Sequence, residues 1–509
     1  MNKLHSGFAP IQIILSVIAG TVVLGGIVGG VLYFSKQPSQ QIQQGKCGDG
    51  VCGPAEKANP NLCPKDCIGE QPESDTKPTT TATTTTTPKN EDVVSAKSSS
   101  KDSPFALQAP FMSRAEDKGY ISSEEATNFL LDAGVKEVRM LLPELEKYNI
   151  NDLLTKNNIA ISADIAQPMY PKDMEKHKSE VKASAKKYKN NVEAWLVVNE
   201  AETGWKDTPE KYAEYFIATS KAIKSEAPDA LVVMNLAGVS PAGEMSSSAG
   251  LKFLETALKN GVGSYFDVLD IHIQGDATNY KNLGKIVSDY NKIFKQNGIK
   301  EKPIWNTEFG TYDGDPDENP RLPGMKLSYQ SEEVQAGGLI KKYIYGLSVG
   351  IKKMFWTTMV EWSNYDKSGS GNCYFCSTGL VNNSRNDGLS HKKLAYYTYK
   401  KMVEVLDGSD WTNIQTIQES GGVYIYKFTK NNKPIWVAWN DNAESKSVTI
   451  SGITSSSVKI TEAIPKHESG KEVTDYSTAF TTKTETPTTV SHLIGNITIS
   501  LKDVPVFVE

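Results

Sequence analysis

The sequence predicts an α/β protein. It has a (β/α)8 barrel over residues 104–408 and an all-β sandwich over 409–509. Ahead of these it places a transmembrane helix, a small Cys-rich segment and a disordered Thr/Ser-rich linker. Three observations carry this. From Pro104 to Asp407, short apolar runs alternate eight times with longer amphipathic stretches. Strands that are apolar on both faces and alternate with helices belong to a parallel sheet enclosed by those helices. After Gly408 the texture changes to short alternating strands spaced by polar turns, the pattern of a sandwich. Before Pro104 lie an uncharged apolar stretch, four clustered cysteines and a Thr/Ser tract, none of which can build a core.

The eight expected strands are Phe105–Ala109, Glu137–Leu142, Ile159–Asp164, Ala194–Glu200, Leu231–Leu236, Val268–Gln274, Ile304–Phe309 and Lys353–Thr358. Helices are expected over Ser122–Ala133, Pro171–Tyr188, Pro209–Glu226, Leu251–Asn260, Asn282–Asn297, Ser331–Val349 and Ser390–Leu406. A doubly wound open sheet is the alternative, but it favours a Gly-rich phosphate turn after an early strand, and the sequence has none there. In the C-terminal domain, strands are expected at Val423–Phe428, Ile435–Asn440, Ser447–Ile450, Val458–Ala463 and Ile497–Leu501.

At the N-terminus, residues 11–34 carry no charge and exceed the roughly 20 residues that a helix needs to cross a bilayer. No small-residue cleavage site follows, so residues 1–36 read as an uncleaved anchor. Residues 45–69 hold Cys47, Cys52, Cys63 and Cys67, candidates for two disulfides, with a four-cysteine zinc knot as the competing reading. The Cys47–Cys52 stretch resembles the CGDGxC repeats of secreted microbial proteins. Asp49, Glu56 and Asp66 read as solvated turn residues, with calcium ligation the other option. Residues 70–103 are a Thr/Ser/Pro-rich stalk. Span, cysteine segment and stalk in series predict a cell-membrane protein whose large domain faces outward. The membrane is thus one expected partner.

Composition excludes other classes. With 55 basic against 60 acidic residues, the chain has no broad basic footprint, so no nucleic-acid partner is expected. Six histidines without an HExxH motif argue against a catalytic zinc, and no metal or organic cofactor is called for.

The chemistry lies at two strand ends. Strand four closes as Trp195-Leu-Val-Val-Asn199-Glu200 and strand seven as Ile304-Trp-Asn-Thr-Glu308-Phe-Gly310. An apolar strand ending on a carboxylate places an ionisable group at the barrel mouth. Two of them half a barrel apart face each other, the arrangement that protonates a glycosidic oxygen and attacks or activates water.

Asn199-Glu200 and Glu308 resemble the strand-four and strand-seven motifs of clan A of the glycoside hydrolases, most like family 39 and its barrel-plus-β-sandwich relatives. The resemblance spans residues 104–509. It implies that Glu200 is the acid/base, Glu308 the nucleophile and Asn199 a ligand of the substrate 2-hydroxyl. It also implies a retaining double displacement on an oligo- or polysaccharide. By the same resemblance Arg139, ending strand two, pairs with the nucleophile, and His272, ending strand six, lies near it. An apolar strand and a neighbouring anion are expected to keep Glu200 protonated. Trp356, Trp362 and Trp205 are candidate sugar platforms, and Asp164 a candidate contact to a remote hydroxyl. The rival readings are a retired barrel that binds carbohydrate and a transglycosylase.

Two loops depart from a minimal barrel. The segment from Thr311 to Leu327 carries Asp313, Asp315, Asp317 and Glu318 and reads as a solvated acidic loop. Cys373 and Cys376 after strand eight read as a local disulfide that stiffens the rim.

Overall fold

The computed structural model describes residues 102–108, 121–148, 150–239, 247–314, 327–362, 374–384, 390–491 and 494–509. The chain divides into two units, Met1–Val93 and Val94–Glu509. The first unit holds the expected span, the four N-terminal cysteines and most of the stalk, all outside the described residues. Among the described residues no helix is long and apolar enough to cross a membrane.

Eight parallel strands close into a barrel in sequence order. They are β1 Phe105–Gln108, β2 Glu137–Leu141, β3 Ala160–Ile165, β4 Val192–Val197, β5 Leu231–Val239, β6 Val268–Ile273, β7 Ile304–Phe309 and β8 Ile351–Trp356. Strands β3 and β6 are buried at every position, as a sheet covered by helices requires. The helices outside begin on polar caps that the sequence supplies. Ser122 accepts from the Glu125 amide, Asp173 from Lys176, and Thr208 from Lys211 with Pro209 in the first turn.

Strand parity positions the site. Ala106, Ala194, Leu196, Val233, Val268, Trp305 and Phe355 form an apolar cluster of their own. Because side chains alternate across a strand, stepping two residues from these toward the strand ends reaches Gln108 from Ala106, Asn235 from Val233, and Asp270 then His272 from Val268. An apolar plug thus gives way to a polar layer at the C-terminal end of the barrel.

Two local differences from the sequence expectation matter. Between β2 and β3 the chain forms helices Leu142–Tyr148 and Ile150–Lys156, which are too short for a helical period to stand out. Strand β4 stops at Val197 and does not reach Glu200, because Val198 and Glu200 adopt left-handed backbone with φ of 69° and 48°. A single helical turn, Ala201–Gly204, follows at once.

The C-terminal domain comprises β9 Gln415–Ser420, β10 Val423–Lys430, β11 Lys433–Asn440, β12 Lys446–Ile453, β13 Val458–Pro465, β14 Phe480–Glu485, β15 Thr488–Ser491, β16 Ile494–Leu501 and β17 Val506–Val508. These pair as a six-stranded sheet, β14-β13-β17-β11-β10-β9, and a three-stranded sheet, β12-β16-β15. Ile425, Trp436, Ile450, Ile497 and Ile499 fill the core between them. The opposite face of the larger sheet joins the barrel's own core through Tyr426, Phe428, Val437, Trp439 and Phe507. Trp439 donates its Nε1 hydrogen to Tyr280 at 3.1 Å, and Tyr280 donates to Asp441 at 2.6 Å. Each buried large side chain there contributes about 1.5–3 kcal/mol of transfer free energy, so the two domains share one continuous apolar mass.

Candidate active site

Arg139, near the end of β2 and 3% exposed, is the hub of the polar layer. Its Nη1 donates to Glu308 Oε1 at 2.8 Å, and Nη2 donates at 2.5 Å to Asp164 Oδ2 and to Asn199 Oδ1. One planar fork therefore orders groups from β3, the turn after β4, and β7. Burial disfavours its charge, but Asp164, Glu308 and Asp270 outweigh that and raise its pKa further. From β1, Gln108 Nε2 donates to the same Glu308 Oε1 at 2.7 Å.

His272 stands between the two glutamates. Its Nδ1 lies 2.9 Å from Glu200 Oε1 and 3.6 Å from Glu308 Oε2. Arg139 Nη1 at 3.1 Å and Asn235 Nδ2 at 2.7 Å face the other ring nitrogen. Asn235 is oriented by its own bonds: Oδ1 accepts from the Glu200 amide, and Nδ2 donates to Asp270. Nε2 also has Thr307 Oγ1 at 3.3 Å and Asp270 Oδ2 at 3.5 Å, which accept its hydrogen when the ring is an imidazolium, and Nδ1–H of that imidazolium donates to Glu200. Burial works against a second proton on His272. Glu308, Asp270 and Glu200 work for it and push the pKa up to about 10.

The carboxylates themselves are only partly covered, with Glu200 34% and Glu308 14% exposed at the side chain. Oxygens of the two glutamates and a ring nitrogen of His272 all lie within 4.8 Å of one another. Burial pushes the Glu200 carboxyl up, but the hydrogen bond and charge of His272, with Arg139 behind them, outweigh it and hold it below the usual range. This corrects the expectation of a protonated Glu200, which took account of the apolar strand but not of the histidine across the mouth. Among the described residues these three side chains are also the one His/carboxylate group close enough to ligate a metal. Arg139, donating into Glu308, already supplies the cation there and would repel another.

Three further candidates fall elsewhere. Trp205 is 6% exposed, packs on Tyr212 and Tyr215, and donates to Thr208 O at 3.1 Å. Trp356 is fully buried against Phe309 and donates to Thr378 O at 2.9 Å. Neither offers a face to a sugar, which corrects both readings. Asp164, also fully buried, is spent on Arg139 and not on a remote hydroxyl. Trp362 keeps a partly exposed position at the rim, stacked on Phe375 with centroids 5.0 Å apart. Cys376 is disulfide-bonded, while Cys373 lies outside the described residues. Of the acidic loop, residues 315–326 also lie outside them, and Asp313 pairs with Lys393 at 2.6 Å.

Sequence reasoning missed Gln108, Asn235, Asp270 and Glu202. The first three had a signal, a polar residue inside or ending an otherwise apolar strand.

Residues 155–377 match the family model described as glycosyl hydrolase catalytic core. The barrel is a glycosidase catalytic domain. Solved structures share its fold. A glucosidase from Croceicoccus marinus is 11% identical, with a TM-score of 0.54 over 81% of this chain and 96% of its own. An α-L-arabinofuranosidase from Thermotoga maritima is 10% identical, with a TM-score of 0.51 over 81% of this chain and 97% of its own. SrfJ from Salmonella typhimurium is 9% identical, with a TM-score of 0.50 over 81% and 90%. None of these matches separates family 39 from other glycosidase families. No curated protein matches the sequence.

Proposed function

We propose that the chain is a membrane-anchored, outward-facing glycosidase that acts by a retaining double displacement. The observation that supports the mechanism is that one carboxylate oxygen of Glu200 and one of Glu308 lie within 4.8 Å of each other. Carboxyls about 5 Å apart suit direct attack on the anomeric carbon, whereas inversion needs roughly 6.5–9.5 Å to admit a water.

In this reading Glu308 attacks through Oε2, since Arg139 and Gln108 both occupy Oε1. In the resting pair the proton sits on His272; its Nδ1, 2.9 Å away, passes it to Glu200, which delivers it to the leaving oxygen and is left ionised beside a neutral histidine. Ester formation at Glu308 removes the negative charge that most favours His272 protonation, so both partners of the pair become weaker acceptors once the intermediate forms. Glu200, already ionised, works as the base toward water, and the proton it takes returns to His272 as Glu308 is freed. Arg139 holds the carbonyl end of Asn199, which leaves its amide hydrogens for a substrate hydroxyl.

The test is hydrolysis of a panel of glycans and aryl glycosides by the wild type, Glu200→Gln and Glu308→Gln. Activity on one sugar class, lowered by orders of magnitude in both variants, supports the reading; activity that survives Glu308→Gln overturns the nucleophile. Outward placement rests on the order of apolar stretch, cysteine pairs and Thr/Ser tract. External protease that digests residues 104–509 on intact cells supports it, and protection there refutes it.

A further inference from the structure

We propose that Glu202 is a positioning residue for the acid/base, pinning the helical turn that follows Glu200 to the end of β5. This rests on the functional reading above, since it concerns how Glu200 is held.

The chain leaves β4 through two left-handed residues, Val198 and Glu200, at φ of 69° and 48°. Such backbone costs about 1–2 kcal/mol for a side-chain-bearing residue, and a β-branched valine is a marked outlier there. Strain of this kind persists only where the surroundings over-determine it. Two side-chain bonds to one short piece of β5 do that. Asn235 Oδ1 takes the Glu200 amide, and Glu202 Oε2 takes the amide of Ala237, two residues further along, at 2.9 Å. The turn is closed by Gly204 N–H, which donates to Glu200 O at 2.6 Å. A side chain at Gly204 would stand 2.4 Å from Asn199 O, so the turn admits only glycine there.

Glu202 Oε1 is buried without a hydrogen-bond partner, in a space that Gly250 leaves open: a Cβ there would lie 3.0 Å from both Glu202 Oε1 and Tyr290 Oη. Burial raises its pKa, the amides of Ala237 and of Glu202 itself lower it and Glu200 raises it, to about 7 overall. His272, Tyr212 and Tyr290 are the other titratable groups facing it. Oε2 accepts from Ala237 whether the acid is neutral or charged, so the pin operates on both sides of that pH.

The test compares Glu202→Ala with Glu202→Gln in the full-length protein, by kinetics on an aryl glycoside that the wild type hydrolyses and by hydrogen exchange over residues 199–205 and 231–239. The pin predicts that Glu202→Ala lowers kcat at least about tenfold with KM within about threefold, since small misplacement of a reacting group has effects of that size. Amide exchange at Glu200 and Ala237 should quicken. Glu202→Gln, whose amide oxygen accepts the same N–H, should stay near the wild type in both. Wild-type kcat or unchanged exchange in Glu202→Ala overturns the proposal. So does equal damage in Glu202→Gln, which would assign the effect to charge. If Glu202→Ala fails to fold, Glu202→Met fills the same space without an acceptor and takes its place. A wild type inactive on every glycoside would count against the glycosidase mechanism, while the exchange data still decide the pin.

Discussion

Arg139 and Glu308 are joined by a 2.8 Å hydrogen bond from Nη1 to Oε1, made by a guanidinium that is 3% exposed. The same fork holds Asp164 and Asn199, so the charge of the nucleophile and the placement of the substrate ligand depend on one side chain. Arg139→Lys should fold, because the charge persists, yet a point ammonium cannot span three acceptors. A fall in kcat/KM of about 10²-fold or more is expected by steady-state kinetics. Arg139→Ala leaves Asp164 buried and uncompensated, and should cost about 3–5 kcal/mol in a denaturant melt.

The division of labour between the glutamates predicts different responses to the leaving group. Glu200→Ala should lose little glycosylation rate on dinitrophenyl glycosides, whose leaving group needs no proton, and much more on alkyl glycosides. Glu308→Ala should lose both. Equal losses on the two substrate types in Glu200→Ala would contradict its role as acid.

The tryptophans separate core from rim. Trp356→Ala should lower stability by about 3–5 kcal/mol, as large-to-small changes in packed cores do. Trp205→Phe should lower the melting temperature while leaving KM unchanged. Trp362→Ala should act chiefly on KM. A large KM change from Trp205→Phe would show that the ring reaches substrate after all.

Outside the paired glutamates, Lys393 Nζ sits 2.6 Å from both Glu361 and Asp313. Burial pushes the Glu361 carboxyl up, Lys393 opposes this, and Asp313 adds to it, leaving a pKa of about 7 against the ordinary 4.5. The folded state therefore holds an extra proton between those values. Stability from this group is present below pH 4.5 and is lost as pH rises through 7, at up to ~1.4 kcal/mol per unit. Melting curves should show Glu361→Gln gaining on the wild type across that window and running parallel above it. Parallel curves throughout would mean that Glu361 stays ionised.

Much of this was legible from sequence because two physical signals are strong. Apolar strands of a parallel barrel stand out as continuous runs, and a carboxylate that ends one, as at Glu308, breaks the run visibly. Arg139 and His272 came from the resemblance to clan A, at strand ends that fit it. What was not legible depends on distances across the barrel. The depressed Glu200 pKa comes from His272, far away in sequence and 2.9 Å away in space. Trp205 and Trp356 carry the same sequence signal as Trp362, since residue type does not reveal burial. The turn at Val198–Glu200 was missed because valine is among the residues least expected at positive φ, so nothing local announced where β4 stops.

The most direct test of the central claim is the anomeric configuration of the first sugar released, followed by 1H NMR before mutarotation sets in. Carboxylate oxygens of Glu200 and Glu308 within 4.8 Å of each other predict a product of the same configuration as the substrate. A first-formed product of inverted configuration would contradict direct attack by Glu308 and would require a water between the two carboxylates.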